Sequence, residues 1–316
     1  MSFSCNIPAR YWNLVIVSRD ASWRRVQVCV LIVFNPAAGR RRSQRLWRVL
    51  DLLVHNGIRL EVAETGHRGH ATQLAREAVA RGAGLIVAAG GDGTIAEVAN
   101  GLSGASVPLG VIPLGTANVL AHELALPFAP RAVAAALAFG RTRLLWPGVA
   151  RGPAGERLFV QMLGVGFDAA VVQHLPDALK RVLGRGAYVA QSLCEVACYP
   201  FPPLRLRLGG EELEAASVIV TKGRYYAGRH LLAPGANPTE PGFSVAIFRR
   251  RGRLPALLSG ALLPFDLLPR TPGLLLMRAT SVEIESDAPA QADGDPAGLA
   301  SLSITDAPSP IAVISG

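Results

Sequence analysis

The stretch LIVAAGGDGT at residues 85–94 carries the strongest structural information in the chain. Its first five residues are apolar, which predicts a strand buried on both faces, as in a parallel sheet. The glycines that follow let the backbone turn sharply and approach a bound anion closely. A helix predicted at 95–102 would direct unpaired N–H groups at the same place, and Asp92 adds a carboxylate that can bind Mg²⁺ or polarise a hydroxyl group.

Thr94 and Glu97 also have a purely local interpretation. Their T-x-x-E spacing matches a capping box, in which both side chains bond to backbone N–H groups at the start of a helix. Such a cap accounts for these two residues, but it leaves three glycines around an exposed Asp92 unexplained. A phosphate-binding turn is therefore the preferred interpretation.

Outward from this stretch, buried strands and amphipathic helices alternate. The predicted strands are 28–34, 58–63, 85–89 and 109–112, and the predicted helices are 46–53, 70–81 and 95–102. Alternation of this kind means right-handed crossovers and a parallel sheet covered on both faces. The first half of the chain is therefore expected to be an α/β domain.

The pattern changes after about residue 145. Strict apolar–polar alternation at 204–208 and 282–285 predicts antiparallel strands with one buried face and one wet face. Helices are expected at about 177–198 and 254–263. We predict three regions: an N-terminal extension (1–27), an α/β domain (28–145) and a β-rich, sandwich-like domain (146–305). A return of residues 306–316 to the first domain stays open.

Four polar, glycine-containing loops follow the four predicted parallel strands. They occupy residues 35–39, 65–66, 90–94 and 113–118. Because the carboxyl ends of parallel strands share one edge of the sheet, these loops are expected to gather around one crevice. Arg40, Arg41 and Arg42 follow the first loop, either as phosphate-neutralising groups or as a solvated start of a helix.

The composition of the chain favours some classes of binding partner over others. The formal net charge of the 316-residue chain is +9, which favours anionic surfaces such as phospholipid. Aromatic residues make up only 6%, so nucleic acid is not favoured. The four cysteines and six histidines show no metal-binding pattern, and reduced cytoplasmic thiols are expected.

Membrane association is expected to be peripheral. The most apolar segment, 254–277, is interrupted by four prolines, which a spanning helix would not tolerate. Its first part, 254–268, is either core or an exposed edge that docks on a membrane.

The loop motifs together resemble those of the diacylglycerol kinase catalytic family, which includes bacterial lipid kinases, sphingosine kinases and ceramide kinase. They are N-P-x-x-G at 35–39, G-G-D-G-T at 90–94 and P-L-G-T-x-N at 113–118. Similar segments continue to residue 315, including Q-x-D-G at 291–294. The resemblance implies two domains with ATP in the cleft between them.

The resemblance also implies the site residues. The nucleotide would be bound by Asn35, Gly39, Thr65, Gly91, Asp92, Gly93, Thr94, Glu97, Gly115, Thr116 and Asn118. Asp293 matches the general base of bacterial lipid kinases, whereas sphingosine kinases use the acid that corresponds to Asp92. Asp293 is the favoured base, and Asp92 with Asp295 would bind Mg²⁺.

The chain departs from the family pattern at four places. Val119 stands where an aspartate is frequent, and Asp295 where glutamate is usual. Residues 240–242 (Glu-Pro-Gly) replace a customary Asp-Gly, which argues against a structural Mg²⁺ in the second domain. An asparagine expected near Lys222 is missing.

The resulting hypothesis is an ATP-dependent kinase that phosphorylates a lipid hydroxyl, on a diacylglycerol-like lipid, another glycerolipid or a long-chain base. Mg²⁺ would be required, and the enzyme would be cytoplasmic and work at a membrane surface, with anionic phospholipid as a partner. Two alternatives stay open: a kinase of a soluble acceptor such as NAD, and a non-catalytic ATP- or lipid-binding homologue. The oligomeric state is not predicted.

Overall fold

The structure is a computed structural model that describes residues 15–17, 30–38, 43–153, 155–176, 179 and 184–315. Gly39 of the first predicted loop and the arginines 40–42 that follow it lie outside the described residues, as do Cys5 and Cys29.

Two sheets contain most of the strands. In chain order the strands are β1 (Val15–Val17), β2 (Val30–Phe34), β3 (Leu60–Glu64), β4 (Leu85–Gly90), β5 (Leu109–Pro113), β6 (Arg141–Leu145), β7 (Gly148–Gly152), β8 (Gly155–Phe159), β9 (Met162–Gly166), β10 (Leu204–Leu208), β11 (Glu211–Ala215), β12 (Ser217–Thr221), β13 (Tyr225–Tyr226), β14 (His230–Leu231), β15 (Phe243–Phe248), β16 (Leu274–Ala279), β17 (Ser281–Ala292), β18 (Asp295–Asp306) and β19 (Ile311–Ser315).

The α-helices lie between these strands. They are α1 (Ser43–His55), α2 (His70–Ala80), α3 (Asp92–Gly101), α4 (Val119–Glu123), α5 (Pro130–Phe139), α6 (Phe167–His174), α7 (Arg185–Cys198) and α8 (Arg253–Leu262). Short 3₁₀ turns occupy Pro36–Ala38, Leu263–Phe265 and Leu268–Arg270.

The first sheet has the strand order β1-β3-β2-β4-β5-β19-β6. Neighbouring strands are parallel from β1 to β19, and β6 is antiparallel to β19. Strands β2, β4 and β5 are buried along their whole length, as their continuous apolar sequences predict. The predicted α/β class is therefore confirmed, and β1 adds an edge strand that no sequence pattern indicated.

Helices cover both faces of this sheet. Alternate residues of β2 face opposite sides: Ile32 packs in the core beneath α1 and α5, and Leu31 in the core beneath α2 and α3. Helix α3 begins at Asp92, three residues before the predicted start, so the glycine-rich turn itself forms the first helical turn.

The second sheet is antiparallel, with the order β16-β15-β12-β9-β17-β18-β7-β8, and β10 pairs with both β17 and β11. In β10 the leucines are buried and Arg205 and Arg207 are exposed, as the alternation predicts. Helix α7 begins at Arg185, within the segment predicted to be helical. The predicted β-rich second half is thus confirmed.

The chain crosses between the sheets twice, from β6 to β7 and from β18 to β19. The crossings touch each other, because Ala307 N donates a hydrogen bond of 2.9 Å to Pro147 O. A side chain also joins the two halves. Buried Glu123 of α4 accepts hydrogen bonds from Arg224 N (2.8 Å), Arg224 Nε (3.0 Å) and Tyr225 N (3.2 Å).

Candidate active site

The loops that follow β2 and β4 are in direct contact. Asn35 Nδ2 donates a hydrogen bond of 3.1 Å to Thr94 Oγ1, and Asn35 Oδ1 accepts one of 2.9 Å from Ala37 N. The contact follows from topology, because β2 and β4 are adjacent parallel strands and their carboxyl ends meet at one edge.

The loop that follows β5 packs on the same turn, backbone against backbone. An ideal Cβ on Gly115 would lie 2.4 Å from Gly91 Cα and 2.7 Å from Asn118 Oδ1. Real Cβ atoms do not approach other atoms this closely, so only glycine fits here. The expected gathering of the loops around Asn35, Asp92 and Thr116 at one edge of the sheet is therefore observed.

Asn118 holds the last of these loops in shape. Its backbone is left-handed (φ 49°), and Nδ2 donates to Gly115 O at 2.7 Å. Asn118 Oδ1 is buried with no hydrogen-bond partner within the described part of the chain. Thr116 is exposed, and Thr65 is half-buried, with its N–H donating to Phe34 O at 2.8 Å.

Thr94 and Glu97 do not form the capping box that their spacing suggests. Helix α3 starts at Asp92, so Thr94 lies inside the helix and contacts Asn35 instead. The Glu97 carboxylate reaches a different helix, where it accepts hydrogen bonds from Gly69 N (2.9 Å) and Ala71 N (3.1 Å). Glu97 thus caps α2, which has no side-chain cap within its own segment.

Asp92 is not the exposed acid that the sequence suggested; it is half-buried. Its Oδ1 accepts a hydrogen bond of 3.3 Å from Leu120 N at the start of α4. Burial raises the pKa of the Asp92 carboxyl, and the backbone N–H groups of 118–120 oppose that rise. The first sheet therefore places one carboxyl group in the crevice.

Asp293 comes from the second sheet, in the two-residue turn between β17 and β18. Asp293 (φ 51°) and Gly294 (φ 85°) are both left-handed, as a type I′ hairpin turn requires. The carboxylate accepts three backbone hydrogen bonds, from Val160 N (2.7 Å), Gln161 N (2.8 Å) and Met162 N (3.0 Å). These bonds fix its position and orientation.

Asp293 lies close enough to Asp92 for the two charges to interact. Burial and, to a smaller extent, the negative charge of Asp92 raise the pKa of Asp293 to about 6, although its three N–H donors oppose the rise. Carboxyl groups from two different sheets thus meet at the edge where the glycine turns gather.

Asp295, the other predicted metal ligand, lies beside this pair. Its oxygens lie 3.7 Å from Arg68 Nη1 and 3.7 Å from Arg157 Nη2. These residues line an open pocket of about 220 Å³, together with Gly69, Thr72, Glu97 and Asn100. An ideal Cβ on Gly93 would lie 3.6 Å from Asp295 Oδ2, so the pocket adjoins the glycine turn.

Comparison with known proteins agrees with this geometry. Residues 29–146 match the diacylglycerol kinase catalytic domain, and residues 161–315 match the YegS C-terminal NAD kinase beta sandwich-like domain. A protein of Escherichia fergusonii named as a probable lipid kinase, YegS, is 31% identical over 226 residues, which cover 69% of this chain and 74% of the relative. The chain belongs to the diacylglycerol kinase family of lipid kinases.

Two further relatives of this family are informative. The diacylglycerol kinase of Bacillus subtilis is 31% identical over 228 residues, 69% of this chain and 73% of that protein. The crystal structure of a diacylglycerol kinase from Bacillus anthracis superimposes with a TM-score of 0.70 at 21% identity, covering 91% of this chain and 96% of that one. In the present chain, none of the described helices is long and apolar enough to cross a bilayer.

A buried hydrogen-bond network lies behind the turn that carries Asp293, and its interactions were not predicted from the sequence. Asp168, at the start of α6, accepts hydrogen bonds from Tyr226 Oη and from Gln291 Nε2 (2.7 Å). Gln291 Oε1 in turn accepts from Gly294 N at 2.8 Å. The network therefore fixes the turn that carries Asp293, and burial raises the pKa of both Asp168 and Tyr226.

Lys222 contacts the Glu-Pro-Gly segment that departs from the family pattern. Its fully buried ammonium donates to Gly242 O (2.7 Å), Glu240 O (3.3 Å) and Asp306 Oδ1 (2.6 Å). A cationic side chain thus occupies a cluster of oxygen ligands formed by the Glu-Pro-Gly segment and β18. Burial lowers the pKa of this lysine, and Asp306 opposes that shift.

Proposed function

We propose that this protein is an ATP-dependent lipid kinase that transfers the γ-phosphate of ATP to a hydroxyl group of a lipid. The observation that carries the proposal is the meeting of Asp92 and Asp293 at the edge where the glycine turns converge. Phosphoryl transfer needs an anion cradle beside a carboxylate that can accept the proton of the acceptor hydroxyl. The edge between the two sheets provides both.

The phosphate cradle is formed by the loops of the first sheet. The residues that we assign to nucleotide binding are Asn35, Thr65, Gly91, Gly93, Thr94, Gly115, Thr116 and Asn118. The close approach of Gly91 to Gly115 brings the two turns together beside the start of α3, where the first N–H groups of a helix have no intrahelical partner and can donate to phosphate oxygens. Glu97 has a supporting role, since its carboxylate is occupied by the N–H groups of Gly69 and Ala71.

Asp293 is the general base in this proposal. A base works best when its pKa lies near the working pH, and the pKa of Asp293 is raised to about 6. The carboxylate takes the proton of the lipid hydroxyl as that oxygen bonds to the γ-phosphorus. The bond from the γ-phosphorus to the β–γ bridging oxygen breaks, and ADP leaves.

Asp92 is the residue that would hold Mg²⁺. The ion needs only one or two protein carboxylates beside nucleotide phosphates, and Asp92 lies next to the cradle. Asp295 fits this role less well, because Arg68 and Arg157 already compensate its charge. When bound, Mg²⁺ neutralises charge on the β- and γ-phosphates.

The acceptor in this proposal is a lipid at a membrane surface, which the enzyme reaches from the cytoplasm. The support is the lipid-kinase description of the relatives and the net charge of +9, which attracts anionic phospholipid. A soluble acceptor and a non-catalytic role are the competing hypotheses. The match to an NAD kinase-like sandwich motivates the inclusion of NAD among the substrates tested.

The test is incubation with γ-labelled ATP, Mg²⁺ and either a total lipid extract or NAD. We expect label in a lipid product, at least 100-fold less of it with Asp293→Asn, and parental amounts with Asp287→Asn, an exposed acid of the same hairpin. Parental ATP binding and melting temperature would show that Asp293→Asn is folded. Label in NAD alone, or ATP binding without transfer to any lipid, would refute the lipid-kinase proposal.

A further inference from the structure

Helix α7 is apolar on its outer side. Exposed helical residues are normally polar, since an amphipathic helix buries its apolar side. In α7 the exposed residues that the structure describes are instead small or apolar: Gly186, Val189, Ala190, Leu193, Cys194, Ala197 and Cys198. They recur with helical spacing along one side, with Val189 63% and Leu193 58% exposed.

Helix α8 repeats this inverted pattern. Leu254, Leu257 and Leu258 are exposed at i, i+3 and i+4, and the stripe continues through Ala261 to Phe265. Leu254 is 80% exposed and Phe265 is 73% exposed. Single exposed apolar residues need no explanation, but a continuous stripe of them marks an interaction surface.

The two stripes join. Arg253 Nη2 at the start of α8 donates a hydrogen bond of 2.8 Å to Ala197 O in the last turn of α7. We name the combined surface the docking face; it consists of Val189, Leu193, Leu254, Leu257, Leu258 and Phe265.

The docking face leads to the catalytic cleft. Gly184 directly precedes α7, and an ideal Cβ on it would lie 3.5 Å from Thr116 Cγ2 in the nucleotide loop. His174 Nδ1, at the end of α6, lies 2.8 Å from Glu195 Oε1 of α7. Asp168 lies in the first turn of α6, next to the turn that carries Asp293. The start of α6 and the start of α7 therefore both adjoin the cleft.

Positive charge borders the docking face. Arg249 and Arg250 are exposed just before α8, and Arg270 is exposed after Phe265. Two nearby acids are engaged: Glu214 pairs with Arg251 at 3.0 Å, and Asp266 accepts a hydrogen bond from Leu231 N at 2.8 Å. An apolar stripe with a cationic border fits the acyl–headgroup boundary of an anionic bilayer.

We propose that the docking face inserts into the surface of an anionic phospholipid membrane and presents the cleft to lipid in that membrane. This inference rests on the proposed lipid-kinase function and specifies the surface through which the enzyme reaches its substrate. Apolar side chains enter the acyl boundary, while the bordering arginines bind phosphate groups of the lipid headgroups.

The test is co-sedimentation with vesicles of phosphatidylcholine alone or of equal parts phosphatidylcholine and phosphatidylglycerol. The double variant Leu254→Gln/Phe265→Ser is expected to lower vesicle binding at least tenfold. The matched control is Phe139→Ser, since Phe139 is 77% exposed on α5, outside the docking face. All substituted side chains are exposed, so we expect parental melting temperatures; Leu193→Gln provides a second, single-residue test.

The role of the arginines that border the docking face is tested with a variant and a matched control. Arg249→Gln/Arg250→Gln is expected to remove the preference for phosphatidylglycerol, whereas Arg143→Gln, at an exposed position of β6, is expected to keep it. Because sedimentation needs neither ATP nor turnover, failure of docking and failure of the kinase proposal are separate results. Parental vesicle binding by the double apolar variant would overturn the inference, as would a dimer that this variant dissociates without losing vesicle binding.

Discussion

Replacing Gly115 by alanine tests whether the backbone contact between the two glycine turns shapes the nucleotide site. The added Cβ would lie 2.4 Å from Gly91 Cα, whereas ordinary van der Waals contact begins at 3.4 Å. The turns must therefore separate by about 1 Å, with an overpacking cost of about 1–3 kcal/mol in folding free energy. A displacement of about 1 Å in positioning groups lowers turnover by about 100-fold.

Gly110→Ala separates loss of stability from loss of the site. Gly110 lies on β5, before the loop, and its Cβ would meet Leu137 Cδ2 at 2.6 Å and Val87 Cγ2 at 2.9 Å inside the core. We expect both variants to lose stability by a similar amount. Only Gly115→Ala should lose ATP affinity. Gly235→Ala, where the Cβ meets open space, should change neither property.

The assay combines ATP titration calorimetry with thermal unfolding of the three variants and the parent. Parental ATP affinity in a folded Gly115→Ala protein would refute the idea that this contact shapes the site. Equal loss of affinity in Gly110→Ala would attribute the effect to general destabilisation instead.

Three other predictions concern single groups. Because burial and Asp92 raise the pKa of Asp293 to about 6, the ionised fraction of its carboxyl group falls tenfold per pH unit below that value. We expect kcat/KM to fall in the same way, since only the ionised base can accept a proton. A pH profile in which kcat/KM begins to fall only near pH 4 would contradict Asp293 as the base. Lys222→Met leaves Asp306 without its buried partner and should cost about 3–5 kcal/mol in urea unfolding, and a loss below about 1 kcal/mol would contradict this. Asn35→Ala removes the bond to Thr94 and should raise the KM for ATP about tenfold with little change in melting temperature, whereas an unchanged KM would exclude Asn35 from the site.

The sequence predicted the first sheet well, because its strands are buried on both faces. Continuous apolar runs identify β2, β4 and β5 within one or two residues, and parallel topology then places their loops at one edge. The three-residue strand β1 was not predicted, because Val15–Val17 is too short to show any periodicity.

Interactions between residues that lie far apart in the sequence were harder to predict. Glu97 matches a local capping box, yet it caps a helix that begins 27 residues earlier in the chain, and only the packing of α2 on α3 brings them together. The Asp168–Tyr226–Gln291 network likewise joins three segments that have no sequence relationship. A signal was present for the turn that carries Asp293, since Asp-Gly between two strands is typical of a type I′ hairpin.

The position of β19 has a consequence for biosynthesis. This strand separates β5 from β6, so β5 lacks a neighbour on that side until residues 311–315 leave the ribosome. At a translation rate of about 5–20 residues per second, the intervening segment takes about 10–40 s to make. During that interval the nascent chain carries an unpaired parallel edge, which can pair with other chains. We therefore expect ribosome-bound or truncated chains that stop before β19 to depend on chaperones, even though they contain all the loops that we propose to bind the nucleotide.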